Sequence, residues 1–335
     1  MAPPFLTVLT APVPDTGQRL RQAIRRRLRR IVKPGVPLPA SSPYPGHYAL
    51  VRSVVQGLRA IGADFNFNPR RLGDLARVVY APANEALRQA AALKRQGRID
   101  YLVAGPVNAL FVDECDGILQ LPEIDRLIVA HEWANEFFRD APALRARSRA
   151  CPCGVDTEVW QPSGAPRSNL ALVYWKSGDE AFCAQVEASV RACGLEPRRL
   201  RSLHGEHAMF NPADYRALLD RSVIGVFLST FETQGLALAE AWSMDVPTLV
   251  WDPRGDAQWR GRHFMSHSSA PYLTADTGRL WRTLDELEPA LRAALAERRS
   301  FRPRAWMLAH MTDAICSAAL LAIIQDGARS AGGRH

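Results

Sequence analysis

The chain has 335 residues, 47% hydrophobic and 23% charged, a composition that fits two globular domains and excludes a disordered or collagen-like chain. No apolar run is long enough to read as a membrane span. The net charge of +8 equals the count of cations in segment 18–33, which holds Arg19, Arg21, Arg25, Arg26, Arg27, Arg29, Arg30 and Lys33 and no acid, so the excess is local and the body of the chain is neutral.

The amino end is apolar but has no basic leader, and residues 5–10 read as a first strand rather than a signal peptide. In segment 18–33, Leu20, Ala23, Ile24, Leu28, Ile31 and Val32 form one apolar stripe with arginines on the remaining surface. That is the composition of a helix lying on anionic lipid, with Arg25, Arg26, Arg29 and Arg30 on the lipid; the alternative is a solvated helix packed on the fold. No aromatic residue is interleaved there for base stacking, which disfavours nucleic acid.

Leu50, Val51, Val54, Val55, Leu58 and Ile61 recur at helical spacing and Gly62 ends that helix. Strands at 77–80, 101–104 and 126–130 alternate with helices at 84–96 and 133–138. Such alternation predicts a parallel sheet covered on both faces. The pattern stops at 150–162, and 163–168 is a linker by its Gly, Pro and Ser content. It resumes with a strand at 170–175, a helix at 180–193 and a strand at 199–203. Next is a helix capped by Asn211 with Pro212 at its first position. Beyond residue 251 come an extended piece at 270–273 and a helix entered through a capping box, Thr283-x-x-Glu286. Two helical pieces between 304 and 325, joined near Thr312 or Asp313, close the chain.

Residues 223–228 and 247–251 are buried-strand runs, and between them lies a helix that starts at Gln234-Gly235. A strand that turns into a helix through Gly leaves backbone N–H groups unpaired, and the positive end of the helix dipole adds to their pull on a phosphate. Glu232 stands at the mouth of this anion site. Glu240 lies one to two turns down the helix, where a carboxylate can accept hydrogen bonds from a sugar diol.

The spacing Glu232, seven residues, Glu240-Ala241, with Gly235 three after the first Glu and Pro247 closing the unit, resembles the signature of retaining glycosyltransferases of the GT-B fold, family 4 type. Many members have Gly two residues before the closing Pro; here Asp245 stands there. The resemblance implies an α/β protein of two Rossmann-like domains facing each other across a cleft. It implies a first domain over 1–155, a linker at 156–168, a donor domain over 169–303 and helices at 304–327 that cross back to the first domain. Gly154, Val155, Asp156, Trp160 and Pro162 match the family's crossing between domains. By the same resemblance Glu232 lies against the donor sugar, Glu240 binds the ribose, and Thr233, Gln234, Gly235 and Leu236 touch the diphosphate and sugar through their backbone. Lys176, after the first strand of the second domain, supplies a cation to the diphosphate or is simply solvated. The family often has an Arg beside it; Arg201 and Arg254 are the candidates to replace that charge. The leaving phosphate itself would take the acceptor's proton.

On the acceptor side the resemblance points to Gly46, His47 and Tyr48 at a helix entrance, to Asn108 on the rim after a strand, and to His131 at a strand-to-helix junction. Either histidine can equally be structural. No Gly-x-Gly, no P-loop and no Asp-x-Asp occurs, so neither a dinucleotide fingerprint nor a metal-diphosphate anchor is present. Six cysteines lack a regular framework and are expected reduced; Cys151-Pro152-Cys153, His204/His207 and His263/His267 lack the further ligands of a metal site. The expectation is a cytoplasmic, metal-independent hexosyltransferase, with no cofactor beyond its nucleotide-sugar substrate, held reversibly at the membrane. Its acceptor would be a glycan or lipid-linked glycan, with a role in cell-envelope polysaccharide synthesis. A nucleotide-sugar epimerase of the same fold and a non-catalytic nucleotide- or lipid-binding relative are the rival readings.

Overall fold

A computed structural model of the protein describes residues 4–14, 47–106, 109–139, 141–202 and 211–332. Segment 18–33 with its arginines, Gly46, Asn108 and the pair His204 and His207 lie outside the described residues. The chain forms two compact units: Met1–Cys153 together with Cys316–His335, and Gly154–Ile315.

The first unit is built on a six-stranded sheet of β1 (Leu6–Val8), β2 (Phe65–Phe67), β3 (Val78–Ala81), β4 (Tyr101–Ala104), β5 (Arg126–Val129) and β6 (Ser148–Ala150). The order is β2-β1-β3-β4-β5-β6 and every pairing is parallel. β1, β3 and β4 are buried along their whole length, which is why β3 and β4 read as unbroken apolar runs and β1 breaks only at Thr7. β2 (Phe-Asn-Phe) and β6 (Ser-Arg-Ala) are three-residue edge strands, too short and polar to show a pattern. The helices are α1 (Tyr48–Ala60), α2 (Asn84–Arg95), α3 (Glu132–Arg139) and the single turn α4 (Pro142–Arg145). Leu50, Val51, Val54, Val55 and Leu58 of α1 are buried, and full burial of such a side chain contributes about 1.5–3 kcal/mol. Ile61, expected on that face, is the C-cap and is 36% exposed. Gly62, at φ +65°, turns the chain away in the left-handed conformation that ends the helix.

The second unit carries a five-stranded parallel sheet and a separate hairpin. Its strands are β7 (Leu170–Trp175), β8 (Glu196–Arg201), β9 (Ser222–Leu228), β10 (Thr248–Trp251), the antiparallel pair β11 (Gly255–Trp259) and β12 (Arg262–Ser266), and β13 (Gly278–Trp281). The sheet order is β13-β10-β9-β7-β8. Its helices are α5 (Glu180–Ala192), α6 (Pro212–Arg221), α7 (Leu236–Ser243), α8 (Leu284–Ala296) and α9 (Pro303–His310). One face of the sheet packs with α5 and α8 into a core that includes Val173, Trp175, Val186, Val226, Leu249, Trp281, Leu287 and Leu291. The last helix, α10 (Asp313–Gly332), begins in this unit, and its residues from Cys316 onward belong to the first.

Four local expectations change. The segment 156–168 is no loose linker: Trp160 is buried against Tyr215, its carbonyl accepts from Ser243 Oγ (2.5 Å), and the Ser163 N–H donates to Asp220. Residues 270–273 form a turn rather than an extended piece, and the strand comes later, at β13. β8 starts at Glu196 and ends at Arg201; as an edge strand it pairs only with β7, tolerates Pro197 and is mostly charged, so nothing apolar marks its start. The capping box at α8 is remade. Glu286 reaches back to the Arg282 N–H (2.7 Å), one residue before the Thr283 cap, and Thr283 bonds the Asp285 carboxylate instead, holding its pKa below the usual value.

Candidate active site

In the second sheet β7 leads to β8 on one side, and the chain then returns to β9 on the other. The connections therefore leave the carboxyl ends of β7 and β9 in opposite directions, and a crevice opens between them. That is where open α/β sheets bind ligands. Lys176 is the first residue beyond β7, and the loop 229–235 leaves the carboxyl end of β9. The Lys176 and Ser177 N–H groups both donate to the Leu228 carbonyl (3.0 and 2.9 Å), which fixes the start of one loop to the end of the other strand. The Ser177 hydroxyl accepts from the Thr230 N–H at 3.3 Å.

Within this frame Lys176 Nζ meets Glu232 Oε1 at 2.5 Å, with 18% and 16% of the two side chains exposed. The Ser229 hydroxyl lies 2.8 Å from the Phe231 carbonyl and 3.1 Å from Glu232 Oε1, so it tethers the same carboxylate to the loop's own backbone. The Glu232 N–H donates to the Ser268 carbonyl at 3.1 Å. Phe231 turns inward against Phe264 and Trp259 of the β11–β12 hairpin, both edge-on, with ring centroids 5.0 and 5.9 Å away. Gln234 is buried. Gly235 caps α7 in the left-handed conformation (φ +78°, ψ +58°), and a Cβ there would lie 3.1 Å from Leu238 Cδ1. Beyond it the first amides of the eight-residue helix α7 have no partner within the helix. A cation, a carboxylate and an amide-rich helix start thus converge on the crevice.

Glu240 is half-buried on α7. Its charge is felt by two tyrosines. Burial pushes the Tyr215 hydroxyl well above its ordinary pKa, with Glu240 adding to it; burial does the same for Tyr174, with Glu232 and Glu240 both contributing. The two carboxylates therefore share one electrostatic neighbourhood. Tyr215 donates to the Ala237 carbonyl at 2.6 Å and so ties α6 to the first turn of α7, while Tyr174 donates to Ser202. Asp245 occupies a left-handed position at φ +58°; Asp is one of the few residues besides Gly that visit it readily. Arg167 donates to the Met244 and Asp245 carbonyls (2.7 and 2.6 Å) and closes the far end of α7.

The two candidates for a second cation are both engaged. Arg201 lies at the end of β8 with its guanidinium 5.1 Å from the Trp175 ring centroid, and Arg199 has the same relation to that ring. Arg254 donates to Asp252 at 2.9 Å. Among the described residues no three His, Cys, Asp or Glu side chains gather where a metal could bind, and no helix is long and apolar enough to cross a membrane.

In the first unit His47 stands at the N-cap position of α1 with no side-chain cap bond, and Tyr48 begins the helix, both exposed. His131 follows β5, and its Nδ1 accepts the Trp133 N–H at 3.2 Å, so the neutral ring caps α3. Burial lowers its pKa, with Glu132 partly offsetting the effect. Sequence reasoning missed Tyr215, Ser229, Asp252 and the hairpin. The hairpin alone left a signal: Trp259-Arg260-Gly261-Arg262 is a two-residue turn with both central residues at positive φ (+50° and +79°), which Arg-Gly between aromatic-containing strands announces.

No family model matches the chain and no curated protein matches it in sequence. Solved structures do resemble it. HepE of Anabaena in complex with UDP-glucose is 12% identical with a TM-score of 0.56, covering 96% of this chain and 99% of that one. Sucrose-phosphate synthase of Thermosynechococcus elongatus is 12% identical at a TM-score of 0.52, covering 97% and 99%. The catalytic domain of starch synthase IV from Arabidopsis thaliana, bound to ADP and acarbose, is 10% identical at 0.54, covering 85% and 79%. At such identities the likeness speaks for the fold, and the fold is GT-B, two Rossmann-like units in one chain.

Proposed function

We propose that the chain is a glycosyltransferase that moves a hexose from a nucleotide-sugar donor to a hydroxyl acceptor, with retention of configuration and without a metal ion. The observation that carries this reading is the Lys176–Glu232 pair at the switch point of the second sheet, beside the Gly235 entrance to α7. Lys176 and the amides after Gln234 hold the diphosphate, where a preorganised cation and helix dipole stabilise the departing charge. Glu232 faces the donor sugar and Glu240 accepts from the ribose. The bond from the anomeric carbon to the diphosphate breaks, the acceptor oxygen bonds on the same face, and its proton passes to the leaving phosphate. UDP-glucose in HepE and ADP in starch synthase IV support a sugar nucleotide as the donor class. Acceptor recognition is assigned to His47, Tyr48 and His131 of the first unit together with Gly46 and Asn108. Contact with an anionic membrane through segment 18–33 and a glycan or lipid-linked acceptor rest on the sequence alone.

The test is transfer from UDP-glucose, ADP-glucose and GDP-mannose by the purified protein, with and without Glu232→Ala. Transfer that falls at least a hundredfold in the variant supports the reading; equal turnover in both overturns the role of Glu232. Conversion of the donor with no acceptor and no transferred product would identify an epimerase instead.

A further inference from the structure

The hairpin β11–β12 stands outside the main sheet, yet the loop that carries Glu232 leans on it. Two contacts join them: Phe231 packs on Phe264 and Trp259, and the Glu232 N–H donates to the Ser268 carbonyl just beyond β12. The hairpin itself is held by Asp252, the first residue after β10. Its own N–H is anchored to the Trp281 carbonyl of β13 (2.8 Å). Its carboxylate is 1% exposed and takes one partner from each foot of the hairpin. Oδ2 accepts from Arg254 Nε at 2.9 Å at the entrance, and Oδ1 accepts from the Ser269 N–H at 3.0 Å at the exit. Burying a carboxylate this deeply is costly unless both its oxygens are hydrogen-bonded, so the acid and the two feet fix one another. Ser268 is the residue next to the Ser269 foot. Its hydroxyl in turn accepts the Ala270 N–H at 3.0 Å, which leaves the segment 268–270 little freedom.

We propose that Asp252 is a positioning residue: its buried carboxylate pins both feet of the hairpin and so sets the main chain of Glu232 through Ser268. The consequence for ligands rests on the assignment of Glu232 to the donor sugar. A loosened hairpin leaves the diphosphate contacts of Lys176 and α7 in place and blurs only the carboxylate that meets the sugar.

Two measurements on the full chain test this. Hydrogen exchange of the peptide covering 229–236 is expected to quicken at least tenfold in Asp252→Ala while β9 keeps its protection. Asp252→Asn, which still offers an oxygen to the Ser269 N–H, falls in between. Should the alanine variant also lose protection in β9, the asparagine variant decides, with at least a threefold rise confined to 229–236 and the hairpin. Unchanged exchange at 229–236 overturns the proposal. In calorimetric titrations, Asp252→Ala is expected to weaken UDP-glucose at least fivefold more than UDP, as Glu232→Gln does; an equal change for both, or none, also overturns it. A wild-type protein that binds neither UDP nor UDP-glucose counts against the donor reading, and the exchange experiment still decides the clamp.

Discussion

Lys176 Nζ and Glu232 Oε1 stand 2.5 Å apart although 56 residues separate them in sequence, because the strands that deliver them, β7 and β9, are paired neighbours. Each side chain of the pair compensates the charge of the other. Removing one partner leaves the other half-hidden charge uncompensated. Lys176→Met and Glu232→Gln are each expected to cost about 1–2 kcal/mol of stability. The double variant should cost less than the sum, because the second change removes the orphan. Denaturant titration of the four proteins measures this, and strict additivity would show that the two side chains do not interact. For ligands the proposed roles lead the two variants to diverge: Lys176→Met is expected to weaken UDP binding in a calorimetric titration at least tenfold, and Glu232→Gln to leave it within about threefold, a factor of ten being about 1.4 kcal/mol.

Asp245 tests the one departure from the resembling motif. Its φ of +58° suits Gly, is tolerated by Asp and opposes a β-branched side chain. Asp245→Gly is expected to leave stability within about 0.5 kcal/mol, and Asp245→Val to lower it by about 2 kcal/mol. Equal midpoints for the two variants would contradict the left-handed assignment.

Gly327 marks where α10 packs closely on β4 within the first unit. A Cβ at this position would overlap the Tyr101 hydroxyl, which is buried and has no hydrogen-bond partner. Gly327→Ala should therefore destabilise by about 1–3 kcal/mol despite the better helix propensity of Ala. Tyr101→Phe should be close to neutral alone and should rescue the alanine only in part, because the ring Cζ would still lie 2.5 Å from the added Cβ. Failure of the rescue in a thermal melt would place the terminal helix elsewhere.

His131 gives a pH signature. Its pKa lies below 6.5 in the folded chain because burial disfavours the imidazolium, and its Nδ1 must stay unprotonated to accept the Trp133 N–H. As pH falls below 6.5 the unfolded chain takes up a proton that the folded one resists, so stability is lost until the folded pKa is passed and is flat above 6.5. His131→Asn keeps a capping acceptor without the titration. Stability curves between pH 7.5 and 5 should show a shallower slope for the variant, and parallel curves would remove His131 from the account.

Much of this architecture could be read from the chain because buried parallel strands advertise themselves. Leu170–Trp175 and residues 223–228 are apolar throughout since both faces of the sheet are covered. Edge elements were illegible for the opposite reason: β2, β6 and β8 need bury little and so carry no pattern. The candidate site was legible where chemistry constrains spacing, as with Glu232, Gly235 and Glu240. The residues that hold it in place were not. Tyr215, Ser229 and Asp252 act through contacts that reach across the fold, and no local spacing announces which serine or aspartate will be buried beside a loop from another element.

The donor site is tested most directly by a crystal structure with UDP-glucose or, should titration select another base, that nucleotide's sugar conjugate. The diphosphate is expected between Lys176 Nζ and the amides just past Gln234, the sugar against Glu232 and the ribose hydroxyls on Glu240. A diphosphate bound away from the carboxyl ends of β7 and β9, or a Glu232 carboxylate with no contact to the sugar, would contradict it.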